Sequence, residues 1–430
     1  GLAMSLFAGA LFVGQAVGNP VRFDQLDTFW DGLNPGVRVQ GFQVKSAATG
    51  ETAVSLREVR LSLAWWPLLT GRIEIGSLLL VEPSLALERA ADGRLRVTGI
   101  EMQGGADPAL QGFSEWLLRQ QEMLIENGTL EWVDHIDVDG TVERLAVRRV
   151  FLALRNDGDQ HRLDVRADFP AAVCVGCRFS ADFTGQPFVD RDWSGTIRVQ
   201  ARELVLQALP RALRTLLPAG VDGRVRLDLI SDWRRGRPVV VEGRLGAQGL
   251  SLPLTDSPRV VTLQRFDTDV DWRGSAEAGR LELDNLSLGL TREPWRAGRL
   301  QLAYGRERFS AAVERIDVAD LAAFAATLEH DNAVMRWVRA AQPLGTIEDA
   351  AVEFDGPVRT PRDYRIEAQL RSVGVTAVDR IPGLSALSGR LRVTPAGGEF
   401  ALASGAGRID LPRVFEEALE VDRMAGRIRW

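Results

Sequence analysis

Lysine is almost absent from this chain: Lys45 stands alone among 52 basic residues. Histidine (three), cysteine (two) and tyrosine (two) are nearly as scarce. Each shortage removes a class of function. With a formal net charge of −6, the chain lacks the surplus of cations on which non-specific nucleic-acid binding depends. The preference for arginine follows genome composition rather than a phosphate-binding role. Two cysteines cannot build a disulfide framework. Two tyrosines are few for the aromatic girdles of an outer-membrane barrel, and helical stretches would interrupt its strands. His135, His161 and His330 are scattered, and no nucleophile–base pair, phosphate loop or carboxylate pair accompanies them. The sequence therefore points away from an enzyme, with no catalytic residues, no metal and no cofactor expected.

Four local patterns suggest chemistry, and each has a plainer reading. Cys174-Val175-Gly176-Cys177 is a lone C-x-x-C. A thioredoxin-like pair opens a helix, whereas strand patterns flank this one, and structural zinc would need two more ligands. A local disulfide at a hairpin tip, or two idle thiols, is expected. Asp134 to Gly140 hints at a calcium loop, but alignment on the glycine puts His135 and Ala146 where the key carboxylates belong. Trp233-Arg234-Arg235-Gly236-Arg237 fits a solvated hairpin tip better than a phosphate site. Trp132, Trp193, Trp272 and Trp295 read as core or rim residues rather than sugar-stacking platforms.

What the chain has in abundance is one pentad: Gly-Arg, an apolar residue, any residue, and usually a second apolar one. It occurs nine times. The first two copies, from Gly71 and Gly93, carry Ile73 and Ile75, then Leu95 and Val97. Those from Gly223 and Gly243 carry Val225, Leu227 and Leu245. Gly279 and Gly298 lead into Leu281, Leu283, Leu300 and Leu302, and Gly389 into Leu391 and Val393. Gly407 and Gly426 open the last two, with Ile409, Leu411 and Ile428. Glycine suits a turn, and period two puts the following apolar residues on one face of a strand. Each pentad predicts a turn feeding a strand with one wet and one apolar face. These sixteen apolar residues are the candidate site, lining whatever covers that face.

Residues 1–19 contain no charge, approaching the ~20 residues needed to cross a bilayer. Gly9, Gly14, Gln15 and Gly18 dilute the run. It reads as the remnant of a membrane anchor or an apolar helix beside one, with a signal-peptide core as a weaker option. Strand patterns fill 20–107, with a short helical turn expected at Trp65-Trp66-Pro67-Leu68-Leu69. A helix is predicted over 108–127, strands over 128–202, and a helical insert over 203–219, kinked near Pro210. Strands return over 220–316, helices over 317–342 meeting near His330-Asp331-Asn332, and strands over 343–430. Trp430 lies inside the last pentad, in mid-strand pattern, so the chain reads as a piece of a longer protein.

The expected fold is mostly β: a long, curled antiparallel sheet forming an elongated apolar groove, with a few helical inserts and an N-terminal apolar helix. Roughly 25 to 30 strands are too many for one compact sandwich. At ~4.8 Å per strand such a sheet would run roughly 120 to 140 Å.

Several stretches resemble the N-terminal part of the YhdP family, in the AsmA-like group of Gram-negative envelope proteins. Gly18-Asn19-Pro20-Val21-Arg22-Phe23 is similar to the strand that follows that family's anchor. The run Leu61 to Leu69 followed by Ile73-Glu74-Ile75, and Leu117 to Gln121 before Ile125 to Leu130, resemble two further steps. Ile316 to Ile347, with Trp337 and the exit Gln342-Pro343-Leu344-Gly345-Thr346-Ile347, is the nearest likeness. Cys174 and Cys177 fit no motif of the family. The resemblance implies a conduit anchored in the inner membrane, carrying phospholipid across the periplasm to the outer membrane in an apolar β-groove. Its partners would be phospholipid, the inner membrane and proteins of either membrane. The alternative is an envelope scaffold or outer-membrane assembly factor with a closed protein core.

Overall fold

A computed structural model describes residues 20–430 apart from 47–48, 70–74, 90–94, 99–116, 136–141, 188–191, 216, 218, 254–259, 290–294, 323–332, 357–361 and 379–380. The chain is mostly β, and its strands belong to one large mixed sheet. It divides into two compact units: Gly1–Leu204 with Ala208–Leu213 and Ile230–Arg237, and Val205–Gln207 with Arg214–Leu229 and Pro238–Trp430.

Unit 1 holds β1 (Val21–Arg22), β2 (Gln25–Asp31), β3 (Asn34–Lys45), β4 (Thr52–Leu63), β5 (Ile75–Val81), β6 (Ser84–Arg89) and β7 (Leu95–Val97). It continues with β8 (Glu122–Asp134), β9 (Glu143–Asp157), β10 (Gln160–Asp168), β11 (Cys174–Val175), β12 (Arg178–Thr184) and β13 (Ser194–Val205). After β14 (Asp222–Arg234), unit 2 runs through β15 (Arg237–Pro253), β16 (Val260–Gly274), β17 (Gly279–Gly289), β18 (Trp295–Tyr304), β19 (Arg308–Asp317) and β20 (Leu344–Asp355). It ends with β21 (Asp363–Val375), β22 (Gly383–Thr394), β23 (Gly397–Ser404), β24 (Gly407–Asp410), β25 (Leu419–Val421) and β26 (Met424–Arg429). From β15 to β23 each strand pairs antiparallel with the next, although the helical insert after Asp317 separates β19 from β20 in the chain.

The expectation of a wholly antiparallel sheet is corrected in unit 1. β5 and β6 both lie parallel to β8, at Leu78↔Met123 and Leu87↔Trp132. A parallel pair needs a long crossover, and the chain from Val97 to Glu122 supplies it. Strand β8 also starts inside the stretch expected to be helical to residue 127. Residues 117–119 are helical, but Met123 and Ile125 take strand partners Leu154 and Leu152. Sheet pairing overrides a local pattern that either period fits.

The insert expected over 203–219 is less helical than its sequence pattern suggests. Helix α1 (Trp65–Leu69) is the expected short turn. β13 runs on to Val205, followed by a 3-10 turn (Leu206–Ala208), and after Pro210 a single turn, α2 (Arg211–Arg214). Beyond β19, residues 318–322 are helical, with the Asp317 carboxylate accepting the Ala319 and Asp320 N–H groups at 2.9 and 3.2 Å. Helix α3 (Ala333–Ala341) follows. The expected junction at His330-Asp331-Asn332 and the uncharged stretch 1–19 lie outside the described residues. Among those described, no helix is long and apolar enough to cross a membrane.

Cys174 and Cys177 form a disulfide. Of the two readings left open for this pair, the local disulfide is the one found.

Candidate functional site

Register shows how the pentads assemble. Residues directly opposite in adjacent strands share a face. In unit 2 one such row runs Trp272, Leu281, Leu302, Ala311, Val352, Ile366 and Val393. A second runs Val270, Leu283, Leu300, Val313 and Ala350. All are half-buried, so they keep part of their carbon surface in contact with solvent.

The pentad residues fall on this face where their partners are apolar. Leu281 faces Leu302 and Leu283 faces Leu300. Leu391 lies between Ala368 and Phe400, and Ile428 faces Phe400 on the last strand, 57% exposed. Leu245 lies opposite Thr268, in line with Ala247 and Phe266. Val225 is buried and Leu227 half-buried, while Arg224 and Arg226 between them are exposed. Ile409 faces Leu384, but β24 ends at Asp410, so Leu411 begins a turn in which its carbonyl accepts the Val414 and Phe415 N–H groups. In unit 1, Ile75 is opposite Leu63 and Val97 opposite Leu87. Ile73 lies outside the described residues, as does the Leu95 side chain.

Strands between the pentads were expected, but their apolar residues were left out of the candidate site. Unit 1 carries a row Val37, Leu61, Leu78, Met123, Leu154, Leu163, Ala181 and Ile197, none of them in a Gly-Arg pentad except through its neighbours. Here the face is covered locally: Leu118, Met123, Leu154, Ala181 and Phe183 form a buried cluster, with Leu117 packed against it. Behind it Asn156 donates to the Leu117 and Gln120 carbonyls at 3.1 and 2.5 Å, fastening the helical turn to β9. His161 Nδ1 lies 2.7 Å from Asn156 Oδ1 and its ring 5.0 Å from that of Phe183. Burial lowers its pKa from the ordinary 6.5, partly opposed by the Asp159 carboxylate.

The opposite face carries charge. In unit 2, Arg299 bonds Asp284 at 2.6 Å, Arg308 bonds Asp355 at 3.1 Å, and Arg371 bonds Glu348 at 2.9 Å. Arg392 bonds Glu367 and Arg429 bonds Glu399, at 2.9 and 2.7 Å. Donation to Asp284 raises the Arg299 pKa, and the bond accepted from Arg429 lowers the Glu399 pKa. These are exposed pairs across neighbouring strands, individually weak, and they keep the outer face wet. Among the described residues no group of three or more His, Cys, Asp or Glu is placed to hold a metal ion.

A many-stranded sheet whose strands in unit 2 are apolar on one side and ionic on the other defines the class: a one-faced β protein. The family model described as YhdP protein matches residues 10–430, and the chain belongs to that family. Comparison with curated proteins finds no match.

Proposed function

We propose that this chain is part of a lipid conduit between the inner and outer membranes of a Gram-negative envelope. The apolar face forms a groove that shields phospholipid acyl chains, without covalent chemistry. The observation that carries the reading is the continuous half-buried rows of unit 2, where Leu281, Leu283, Leu300 and Leu302 form a four-residue aliphatic platform across two strands. Each methylene of an acyl chain kept from water saves about 0.8 kcal/mol, so such a surface can offset the cost of leaving a bilayer. Family membership agrees with this reading. Phospholipid would be the cargo, and an anchor in the inner membrane with proteins of either membrane the partners.

The buried cluster around Leu118 and Phe183 favours a second reading in unit 1, a scaffold or assembly factor whose strands close on a protein core. One experiment separates the two. Photo-reactive residues placed at Leu281, Leu283, Leu300 and Leu302 should capture phospholipid in cells. The same probes at Arg299 or Arg392 on the ionic face should not. Capture of protein alone at all four apolar positions would favour the scaffold.

A further inference from the structure

Unit 1 exposes large apolar side chains in two segments well separated in sequence. Trp30 is 68% exposed at the end of β2, Leu33 is 75% exposed in the following turn, and Trp66 of α1 is 78% exposed. Trp65 and Leu69 of the same helix are also exposed. The two segments are joined: the Asn34 side-chain oxygen accepts the Trp65 N–H at 3.0 Å, and Gly36 lies opposite Ser62. The turn is braced from the outer side, where Arg38 stacks over the Phe29 ring at 5.6 Å and a Cβ on Gly36 would meet that ring.

We propose that this edge of unit 1 is seated on a lipid bilayer, with Trp30, Leu33, Trp65, Trp66 and Leu69 entering its interfacial layer. The proposal rests on the conduit reading and extends it by naming where the apolar face meets a lipid source. Three observations select a bilayer as the occupant. The patch is continuous with the apolar face: Thr28 is opposite Val37 and Val37 opposite Leu61, so Trp30, two residues from Thr28, lies on the same side. Residues 30–36 and 61–69 contain a single charge, Asp31, so nothing in the patch selects a charged protein surface or an anionic headgroup. Indole rings, apolar with one polar edge, favour the level of lipid headgroups.

The test uses the full chain and phosphatidylcholine vesicles with brominated acyl chains, which quench tryptophans that enter the interface. Quenching is expected, unchanged by high salt, and about tenfold weaker vesicle binding is expected for the combined variant Trp30→Ser, Leu33→Ser, Trp66→Ser, Leu69→Ser. Trp30→Leu with Trp66→Leu should keep binding. A fluorophore on Leu33→Cys, with the four apolar residues otherwise intact, should shift to the blue on vesicle addition, which guards against misfolding of the serine variant. Undiminished binding by a folded serine variant, or no blue shift, overturns the proposal. So does a wild-type dimer in the ultracentrifuge that the serine substitutions dissociate, which would make a second copy the occupant. Mass spectrometry of co-purified lipid separates the two readings. Lipid retained while the variant binds vesicles normally sinks only the seating; no lipid in either protein with patch-dependent binding sinks the conduit.

Discussion

At the scale of single residues, His161 shows how the covered part of unit 1 depends on neutral polar contacts. Its ring is buried between Asn156 and Phe183, and the Asn156 amide in turn holds the helical turn that carries Leu117 and Leu118. Burial lowers the folded-state pKa below the 6.5 of an unfolded histidine. The unfolded chain therefore binds the proton more readily, and the sign follows: this contribution is complete above the unfolded value and is lost as pH falls below it toward the folded one. Urea midpoints measured between about pH 7.5 and about pH 5 should fall more for the wild type than for His161→Gln. Parallel slopes for the two proteins would show that the ring titrates as it does in the unfolded chain. Asp134 makes a complementary point: it is almost fully buried and is held by Arg89, its register partner across the parallel β6–β8 pair. The sequence around it only hints at a calcium loop and reads better as a polar turn; the structure places its carboxylate in an ion pair with Arg89.

At the scale of the strand, a second spacing governs the apolar face. Strict alternation accounts for Leu281 and Leu283, but the next apolar residues of β17 are Leu286 and Leu288, three and five positions on. Asn285 stands at the break with φ 52°, and the register shifts there. The same step occurs at Asn127 in β8, Asp349 in β20 and Ser372 in β21, each with positive φ and a shift in register. An extra residue in the left-handed region switches the apolar set between odd and even positions while keeping it on one face. The strands of the pentads and their opposed faces were legible because period two is a local property; the expected turns were not, since Gly243, Gly298, Gly389 and Gly426 lie inside β15, β18, β22 and β26 rather than ahead of them. The bulges were half-legible: asparagine tolerates positive φ, but Ser372 and Ala386 carry no such signal. The parallel pairing of β5 and β6 with β8 was not legible, since it depends on which distant strand is available. Ala386, at φ 60° beside the shift between Val373 and Val375, allows a test. Ala386→Gly should stabilise the protein by up to about 1 kcal/mol, because glycine relieves a conformation that costs an L-residue about 1–2 kcal/mol. Ala368→Gly, in the regular part of β21 opposite Leu391, should destabilise it by about 1 kcal/mol. Chemical denaturation of the two variants reads the opposite signs directly, and equal destabilisation would remove the bulge argument.

At the scale of the whole chain, the two faces make different demands on the solvent. The ionic face is built from exposed pairs such as Arg371–Glu348 and Arg392–Glu367. Each contributes at most about 1 kcal/mol and is screened by salt. The apolar face of unit 2 is different: Leu281, Leu300, Val352 and Ile366 are half-buried, and water meets part of their carbon surface, which an apolar partner would cover favourably. A partner that binds only the folded sheet stabilises it by mass action, about 2.7 kcal/mol when present at one hundred times its dissociation constant. Stability should therefore follow amphiphile rather than ionic strength. Protein purified with its lipid should melt at a higher temperature than the same protein stripped of it. Adding back phosphatidylethanolamine should restore the difference, whereas raising sodium chloride to about 1 M should change the midpoint little. The stripped form should also bind a hydrophobic dye that the loaded form excludes. If the stripped protein melts at the same temperature and binds no dye, the strands cover their own apolar faces, and the scaffold reading takes the place of the conduit. The Gly-Arg pentads would then supply strands to a closed core instead of a face for lipid.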